Sequence, residues 1–179
     1  MFRTDDKASR GGFSLVEILI TIAILGILVV IAASNFGGMN EKYQVESETK
    51  QFYADLMDAR GRAMQRSRVH FVKIAADGLG YKTYDDTMDA AEATPDGDRV
   101  LQPDADTLVA NATVRHTITW NPGGVSNFSF NFNRNGIASV TGFLRFDSTR
   151  VRPDYDCITV EATRIKMGQF NGTNDCIEK

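Results

Sequence analysis

Residues 13–36 read FSLVEILITIAILGILVVIAASNF, and Glu17 is the one charged side chain among them. The inner stretch, residues 18–33, has no charge, and Thr21 is its one polar side chain. At about 1.5 Å of rise per residue, a helix over residues 13–36 reaches roughly 36 Å, enough to cross a hydrocarbon core of about 30 Å. A helix that is apolar on all sides is typical of a membrane span. The sequence therefore predicts a membrane-spanning helix over residues 13–36.

The segment before this helix, MFRTDDKASRGG, is short and charged. Its basic residues Arg3, Lys7 and Arg10 stand against Asp5 and Asp6, which leaves a net charge of +1. Basic residues at the start of a membrane span hold that end in the cytoplasm. Everything after residue 36 is therefore predicted to lie outside the cytoplasm.

Composition limits the class of protein. Its length of 179 residues suits one folded domain with an appendage. Because 42% of the residues are hydrophobic and 24% are charged, the composition is that of neither a disordered chain nor a polytopic membrane protein. A net charge of −3 argues against a protein that wraps duplex DNA. Two Cys and two His argue against a dense disulfide scaffold and a zinc centre.

The apolar segment has three interpretations. It is a secretory signal peptide cleaved near Ala32-Ala33-Ser34, a plain membrane anchor, or a helix that leaves the bilayer to pack beside copies of itself. Glu17 favours the third, because a central carboxylate costs about 2.5–3.5 kcal/mol on insertion scales and an anchor has no use for it. In a bundle of helices, Glu17 could pair with a cation. Cleavage between Gly12 and Phe13 would create such a cation, a new α-amine.

The residues from Gly12 to Glu17, GFSLVE, resemble the class III signal of type IV pilins and type II secretion pseudopilins. The resemblance implies that a prepilin peptidase cuts after Gly12 and methylates the amine of Phe13. It also implies that Glu17 pairs with the Phe13 amine of an adjacent subunit. The implied partners are other pilin or pseudopilin subunits, the peptidase and an inner-membrane assembly platform. The implied location is the bacterial inner membrane, as a single-pass protein with a periplasmic head that later joins a periplasmic or cell-surface filament.

From Met39 to about Arg68 the pattern stays helical and becomes amphipathic. One stripe at steps of three and four residues predicts packing under a globular head, and it contains Val45, Thr49, Phe52, Leu56, Ala59 and Ala63. If unbroken from Phe13 to Arg68, the helix reaches roughly 84 Å. Four cations near its end form either a solvated face or a patch for DNA or an acidic neighbour; they are Arg60, Arg62, Arg66 and Arg68.

After Val69 the apolar period changes to two, which indicates strands. The predicted strands are Val69–Ala75, Gly80–Tyr84, Thr107–Trp120, Val125–Asn133, Ile137–Phe146 and Cys157–Met167. Three alternating aromatics, Phe128, Phe130 and Phe132, predict core packing under a sheet, with a base-stacking platform as the alternative. The following Asn133–Gly136 predicts a turn with a glycine at positive φ.

The segment Phe130–Gly136, followed by Ile137–Ser139 and Phe143–Phe146, resembles the hairpin of GspH/FimT-type pilin-like domains. The late segment Ile158–Gly168 resembles a strand of the same domains. Members usually carry Gly-Arg in the late strand, where this chain has Thr163-Arg164. A second candidate patch for nucleic acid follows from the nearby cations, which are Arg164 and Lys166 with Arg150 and Arg152. Phosphate contacts of this kind would give steep salt dependence.

Two further features concern the head. Cys157 and Cys176 enclose 18 residues, and outside the cytoplasm they are predicted to form a disulfide that ties down the C-terminal tail. The segment 85–107 holds seven Asp and one Glu against one Arg, so it is predicted to be a solvated loop, with a calcium site as the alternative. No motif for a nucleophile, phosphate loop, dinucleotide fold or zinc hydrolase occurs, so no enzyme activity, metal or cofactor is predicted.

Taken together, these patterns predict an α+β, pilin-like lollipop in which a long N-terminal helix, membrane-spanning in its first half, packs on a C-terminal antiparallel sheet. The predicted parts are a leader (1–12), a membrane and filament-core helix (13–36), an amphipathic helix (37–68) and a β-rich head (69–179). The predicted function is a minor pilin or pseudopilin precursor assembled near the tip of a type IV pilus or type II secretion pseudopilus. The alternatives are a DNA-binding minor pilin for DNA uptake and an anchored or secreted protein unrelated to pili.

Overall fold

The computed structural model describes residues 12–87, 97–121, 123, 127–148, 151–173 and 175–179, with the backbone alone for residues 32–37. Contacts divide the chain into two units, Met1–Met39 and Asn40–Lys179. Residues 1–11, which make up nearly all of the predicted leader, lie outside the described residues.

The described residues form one helix followed by antiparallel strands. The helix, α1, spans Leu15–Arg66. The strands are β1 (His70–Ile74), β2 (Gly80–Asp85), β3 (Thr107–Thr113), β4 (Ile118–Asn121), β5 (Ser129–Phe132), β6 (Gly142–Phe146), β7 (Cys157–Val160), β8 (Ile165–Phe170) and β9 (Cys176–Glu178). This arrangement confirms the predicted α+β class with a long N-terminal helix.

The first part of α1, in the unit Met1–Met39, exposes apolar side chains on every side. From Leu15 to Ile31 its large apolar side chains are 48–76% exposed. Across the part of the chain that the structure describes, no helix meets the length and hydropathy needed to span a membrane. The side chains of residues 32–37, at the end of the predicted span, lie outside that part.

The strands form two sheets in the unit Asn40–Lys179. Sheet A has the order β3-β2-β1-β5, and sheet B has the order β4-β6-β7-β8-β9. The segment between β5 and β6 joins them, since Ala138 forms a bridge to Phe132 of sheet A while its N–H donates to the carbonyl of Ala162, 2.9 Å away, beside sheet B. Both sheets therefore share one core.

The predicted stripe of α1 lies in that core. All six of its members are buried, namely Val45, Thr49, Phe52, Leu56, Ala59 and Ala63. The ring of Phe52 lies 4.1 Å from that of Tyr81 in sheet A and 6.0 Å from that of Phe146 in sheet B. Burying one such side chain stabilises the fold by about 1.5–3 kcal/mol. The amphipathic prediction is confirmed, and the alternating aromatics Phe130 and Phe132 are core residues.

The predicted strand Thr107–Trp120 is wrong as a single element, because it forms β3 at the edge of sheet A and β4 at the edge of sheet B. Glu48 of α1 explains the break. Its carboxylate accepts the N–H groups of Arg115 (2.9 Å) and His116 (3.2 Å) and lies 2.9 Å from Nδ1 of His116. These N–H groups are therefore taken by a side chain of α1, and the chain changes sheets at this point.

Replacing Glu48 with Ala is expected to lower the free energy of unfolding by about 2–3 kcal/mol, because hydrogen bonds to a charged acceptor contribute about 1.5–3 kcal/mol and the N–H groups lose their partner. Denaturant unfolding followed by the fluorescence of Trp120, the single tryptophan, measures this loss. Asp58→Ala is the matched control on the same helix, since its exposed pair with Arg62 contributes about 0.3–0.5 kcal/mol. Equal losses in the two variants would contradict the role given to Glu48.

The predicted strand Cys157–Met167 is also two elements, the hairpin β7–β8. The N–H of Glu161 donates to the carbonyl of Arg164 at 2.8 Å, and Val160 pairs with Ile165 across the turn. The turn residues 161–164 are all exposed, and the apolar alternation changes phase across them, from Ile158 and Val160 to Ile165 and Met167. Similarly, Ile137–Phe146 forms strand β6 only from Gly142 onward. The predicted turn at Asn133–Gly136 is confirmed, with Gly136 at φ 70°.

Candidate functional site

The segment from Gly12 to Glu17 leads into α1 and contains its first three residues. The N–H of Val16 donates to Ser14 Oγ at 3.2 Å, and the carbonyl of Ser14 accepts the N–H groups of Glu17 (3.0 Å) and Ile18 (3.2 Å). Ser14 is therefore the N-cap, and it satisfies N–H groups that the first helical turn would leave free. The bond between Gly12 and Phe13 precedes the helix, and Phe13 is 77% exposed.

Glu17 lies in the first turn of α1. It follows Ser14 by three residues, which is the spacing of a capping box, and a negative charge there is favoured by the helix macrodipole. The side chain is exposed. The S-x-x-E spacing is a sequence signal for this position at the helix start. Any test of Glu17 in assembly must therefore separate its charge from its place at the helix start.

The N-terminal residues match a known family. Residues 7–33 match the family described as prokaryotic N-terminal methylation motif. This chain carries a prokaryotic N-terminal methylation motif. The matched residues include the predicted cleavage position after Gly12, the predicted methylation position Phe13, and Glu17.

Beyond the N-terminal methylation motif, one solved structure is similar over a larger part of the chain. It is the crystal structure of the type IV minor pilin FimU of Pseudomonas aeruginosa, which is 17% identical, with a TM-score of 0.46 over 72% of this chain and 91% of that chain. No curated protein matches the chain. The family resemblance therefore depends on the N-terminal methylation motif.

The four predicted cations at the end of α1 do not form a free patch. Arg66 Nη1 lies 2.5 Å from Asp85 Oδ2, and Arg68 Nη1 lies 3.9 Å from the same oxygen. Arg62 Nε lies 2.6 Å from Asp58 Oδ2. Nε of the fourth, Arg60, is buried. A phosphate would have to compete with carboxylates that already hold three of these side chains, so the geometry does not favour a nucleic-acid site here.

The second candidate patch is also partly engaged. Lys166 pairs with Glu178 across β8 and β9. Arg164 is exposed in the β7–β8 turn and Arg152 is exposed ahead of β7, whereas Arg150 lies outside the described residues. Few of the predicted cations therefore remain available to phosphates.

The predicted disulfide between Cys157 and Cys176 is confirmed. It joins β7 to β9 with a Cα–Cα distance of 6.0 Å. Both cysteines are buried, beside Phe143 and Phe170. The bond therefore anchors the C-terminal strand to the centre of sheet B.

The predicted solvated loop at 85–107 is wrong for part of its length, and residues 88–96 lie outside the described residues. Asp85, Asp86 and Asp106 are buried. Asp106 accepts the N–H groups of Thr87 (3.3 Å) and Gln102 (2.7 Å), and Asp86 accepts that of Arg99 (2.8 Å). In this segment, the carboxylates of buried aspartates thus accept backbone N–H groups that a carbonyl oxygen would accept in a strand or helix. Among the described residues, no group of three or more His, Cys, Asp and Glu could hold a metal.

Burial, together with the charges of Asp106 and Asp98, raises the pKa of Asp86 from 3.8 to about 6, against the hydrogen bond from Arg99. A carboxyl whose pKa is higher in the folded state binds more protons when folded, so its contribution to stability falls as pH rises between about 4 and 6. We expect Asp86→Asn to remove this contribution. The melting temperature of the wild type minus that of Asp86→Asn should therefore be larger at pH 5 than at pH 7.5. An equal difference at the two pH values would contradict the assignment.

Proposed function

We propose that this chain is the precursor of a type IV pilin-like subunit, cut after Gly12, methylated at Phe13 and assembled through Glu17. The observation that supports this most is the match of residues 7–33 to the prokaryotic N-terminal methylation motif. The capped helix start agrees with it, because the bond after Gly12 lies ahead of the helix and cleavage there leaves α1 intact.

The mechanism is assembly. Before assembly, the apolar side chains of Leu15–Ile31 lie in the inner membrane, and the head lies in the periplasm. After cleavage, the amine of Phe13 is a cation and Glu17 is an anion. Each is costly to bury alone and less costly as a pair between neighbouring subunits. The first parts of α1 in neighbouring subunits therefore have a preferred register along one another. Their large apolar side chains, 48–76% exposed in the single chain, become buried between subunits.

The subunit is further proposed to be a minor one of the GspH/FimT type, near the tip of a type IV pilus or a type II secretion pseudopilus. Support comes from the resemblance of Phe130–Gly136 and Ile158–Gly168 to that domain. The partners would be other pilin or pseudopilin subunits, a prepilin peptidase and the inner-membrane assembly platform. Heads would cover the filament and determine what it contacts.

The N-terminus of the mature protein tests the proposal. The full chain is expressed with and without a prepilin peptidase, and the N-terminal peptide is identified by mass spectrometry. We expect N-methylated Phe13 with the peptidase and Met1 without it. A mature N-terminus at Asn35, or Met1 in both samples, would instead support the secreted or anchored protein unrelated to pili.

A further inference from the structure

Among the described residues, strand β3 lies at an edge of sheet A and has no strand paired to its outer side. It pairs with β2 on one side in sheet A, and the N–H of Val114 donates to the carbonyl of Leu79 at 3.1 Å. Because hydrogen-bonded and non-bonded pairs alternate in an antiparallel ladder, the N–H of Ala112 faces β2. The N–H groups of Asn111 and Thr113 therefore face away from the sheet.

The other sheet edges in the described part of the chain are covered or short. The edge of β5 is closed by Ser139, whose Oγ accepts the N–H of Asn131 at 3.0 Å. The edge of β4 is met by the carbonyl of Gly78, which accepts the N–H of Ile118 at 2.9 Å. Strand β9 has three residues. In contrast, β3 has seven residues, TLVANAT, with none of the charges or prolines that usually block edge pairing.

The lysines of the head provide an independent observation. Six lysines lie among the described residues. Four of them form ion pairs with carboxylates, namely Lys42, Lys50, Lys166 and Lys179. The other two, Lys73 and Lys82, have no such pair with a described residue, and they stand directly opposite each other in β1 and β2. Like charges directly opposite in a sheet are destabilising, so this pair lacks a structural reason.

Lys73 and Lys82 lie in one cross-strand row with Asn111 of the edge strand β3. Lys73 is opposite Lys82, and Lys82 is opposite Asn111 of β3. Lys82 and Asn111 form a non-hydrogen-bonded pair, the closer of the two kinds. A surface cavity of about 380 Å³ lies over this row, and its lining includes Lys73, Lys82, Tyr84 and Asn111. A strand added to β3 would thus place a side chain next to Asn111, within reach of Lys82.

We propose that β3 is a docking site for an extended, acidic segment of a partner protein. The segment adds to sheet A as a further strand by pairing with the outward N–H and carbonyl groups of Asn111 and Thr113. Its acidic side chains, on the face shared with Lys82, neutralise the two lysines that have no ion pair with a described residue. Backbone pairing supplies the attachment, and the lysines select an acidic partner. This inference does not depend on N-terminal processing.

A labelled peptide of alternating Val and Glu, seven residues long, tests the site. Its binding to the full chain in non-ionic detergent is followed by fluorescence anisotropy. We expect Lys82→Gln to weaken binding about tenfold, through loss of a charge-assisted contact. Lys50→Gln, at a lysine paired with Glu46, is the matched control and should bind as the wild type does. A peptide with Gln in place of Glu should bind about tenfold more weakly.

Asn111→Pro tests the edge itself, because it removes an outward N–H and leaves the bonds between β3 and β2 in place. We expect this variant to lose peptide binding while Trp120 fluorescence reports an intact fold. Thr113→Pro serves the same purpose if Asn111→Pro does not fold. No peptide binding by the wild type, unchanged binding in the proline variant, or equal binding of the Gln and Glu peptides would each overturn the proposal.

Discussion

Replacing Glu17 with Gln is expected to lower incorporation of the subunit into filaments by more than about a hundredfold. Gln also suits the third helical position of a capping box, so the helix start at Ser14 should persist. The carboxylate is lost, and the amine of a neighbouring Phe13 would then be buried without its partner, which costs about 3–5 kcal/mol. The measurement is the ratio of the amount of subunit in sheared filaments to the amount that remains in membranes.

Glu41→Gln is the matched control for this substitution, since it removes one carboxylate from the same helix in the unit that contains the head. It should leave incorporation unchanged. Glu17→Ala, which removes both the charge and the capping group, should be no more active than Glu17→Gln. If Glu17→Gln assembles normally and Glu17→Ala does not, Glu17 acts as a helix cap and the assembly mechanism is wrong.

Replacing both Cys157 and Cys176 with Ala is expected to lower the free energy of unfolding by about 3 kcal/mol. The disulfide closes a loop between positions 19 residues apart and anchors β9, which has three residues and pairs with β8 alone. For a chain of this size, such a loss lowers the melting temperature by about 6–12 °C. Thermal unfolding of the full chain, followed by Trp120 fluorescence, measures the change.

Reduction of the wild type provides a check, because a reducing agent should lower the melting temperature by a similar amount and should not affect the double Ala variant. Ile177→Ala is the control for a change within β9 that leaves the disulfide in place, since Ile177 is 54% exposed. It should change the melting temperature little. A double variant as stable as the wild type would mean that β9 is held by other contacts.

Features carried by local pattern could be read from the sequence. The length of α1, the buried stripe from Val45 to Ala63 and the turn at Gly136 each depend on residues close together in the chain. Their physical causes, helical periodicity and the freedom of glycine at positive φ, are properties of short segments. The signal from Gly12 to Glu17 is likewise local, and the match to residues 7–33 agrees with it.

Features that depend on distant partners could not be read in this way. The four arginines at the end of α1 look like a free cationic patch in the sequence, but Asp85 from β2 holds Arg66 and Arg68. The sequence pattern predicts one strand over residues 107–120. In the structure this strand is interrupted, because the carboxylate of Glu48 from α1 accepts the N–H groups of Arg115 and His116. In both cases the decisive carboxylate comes from another element.

The amino-acid sequence by itself determined the apolar stem, the position of Glu17, the amphipathic helix and the β-rich head, because side-chain periodicity sets which face of each element avoids water. Tertiary structure alone decided which charges are neutralised, where strands end, and that Lys73 and Lys82 lie opposite each other near the edge strand β3 without an ion pair to a described residue. Charge pairing and strand order depend on which elements become neighbours, and that choice is made by packing over the whole core.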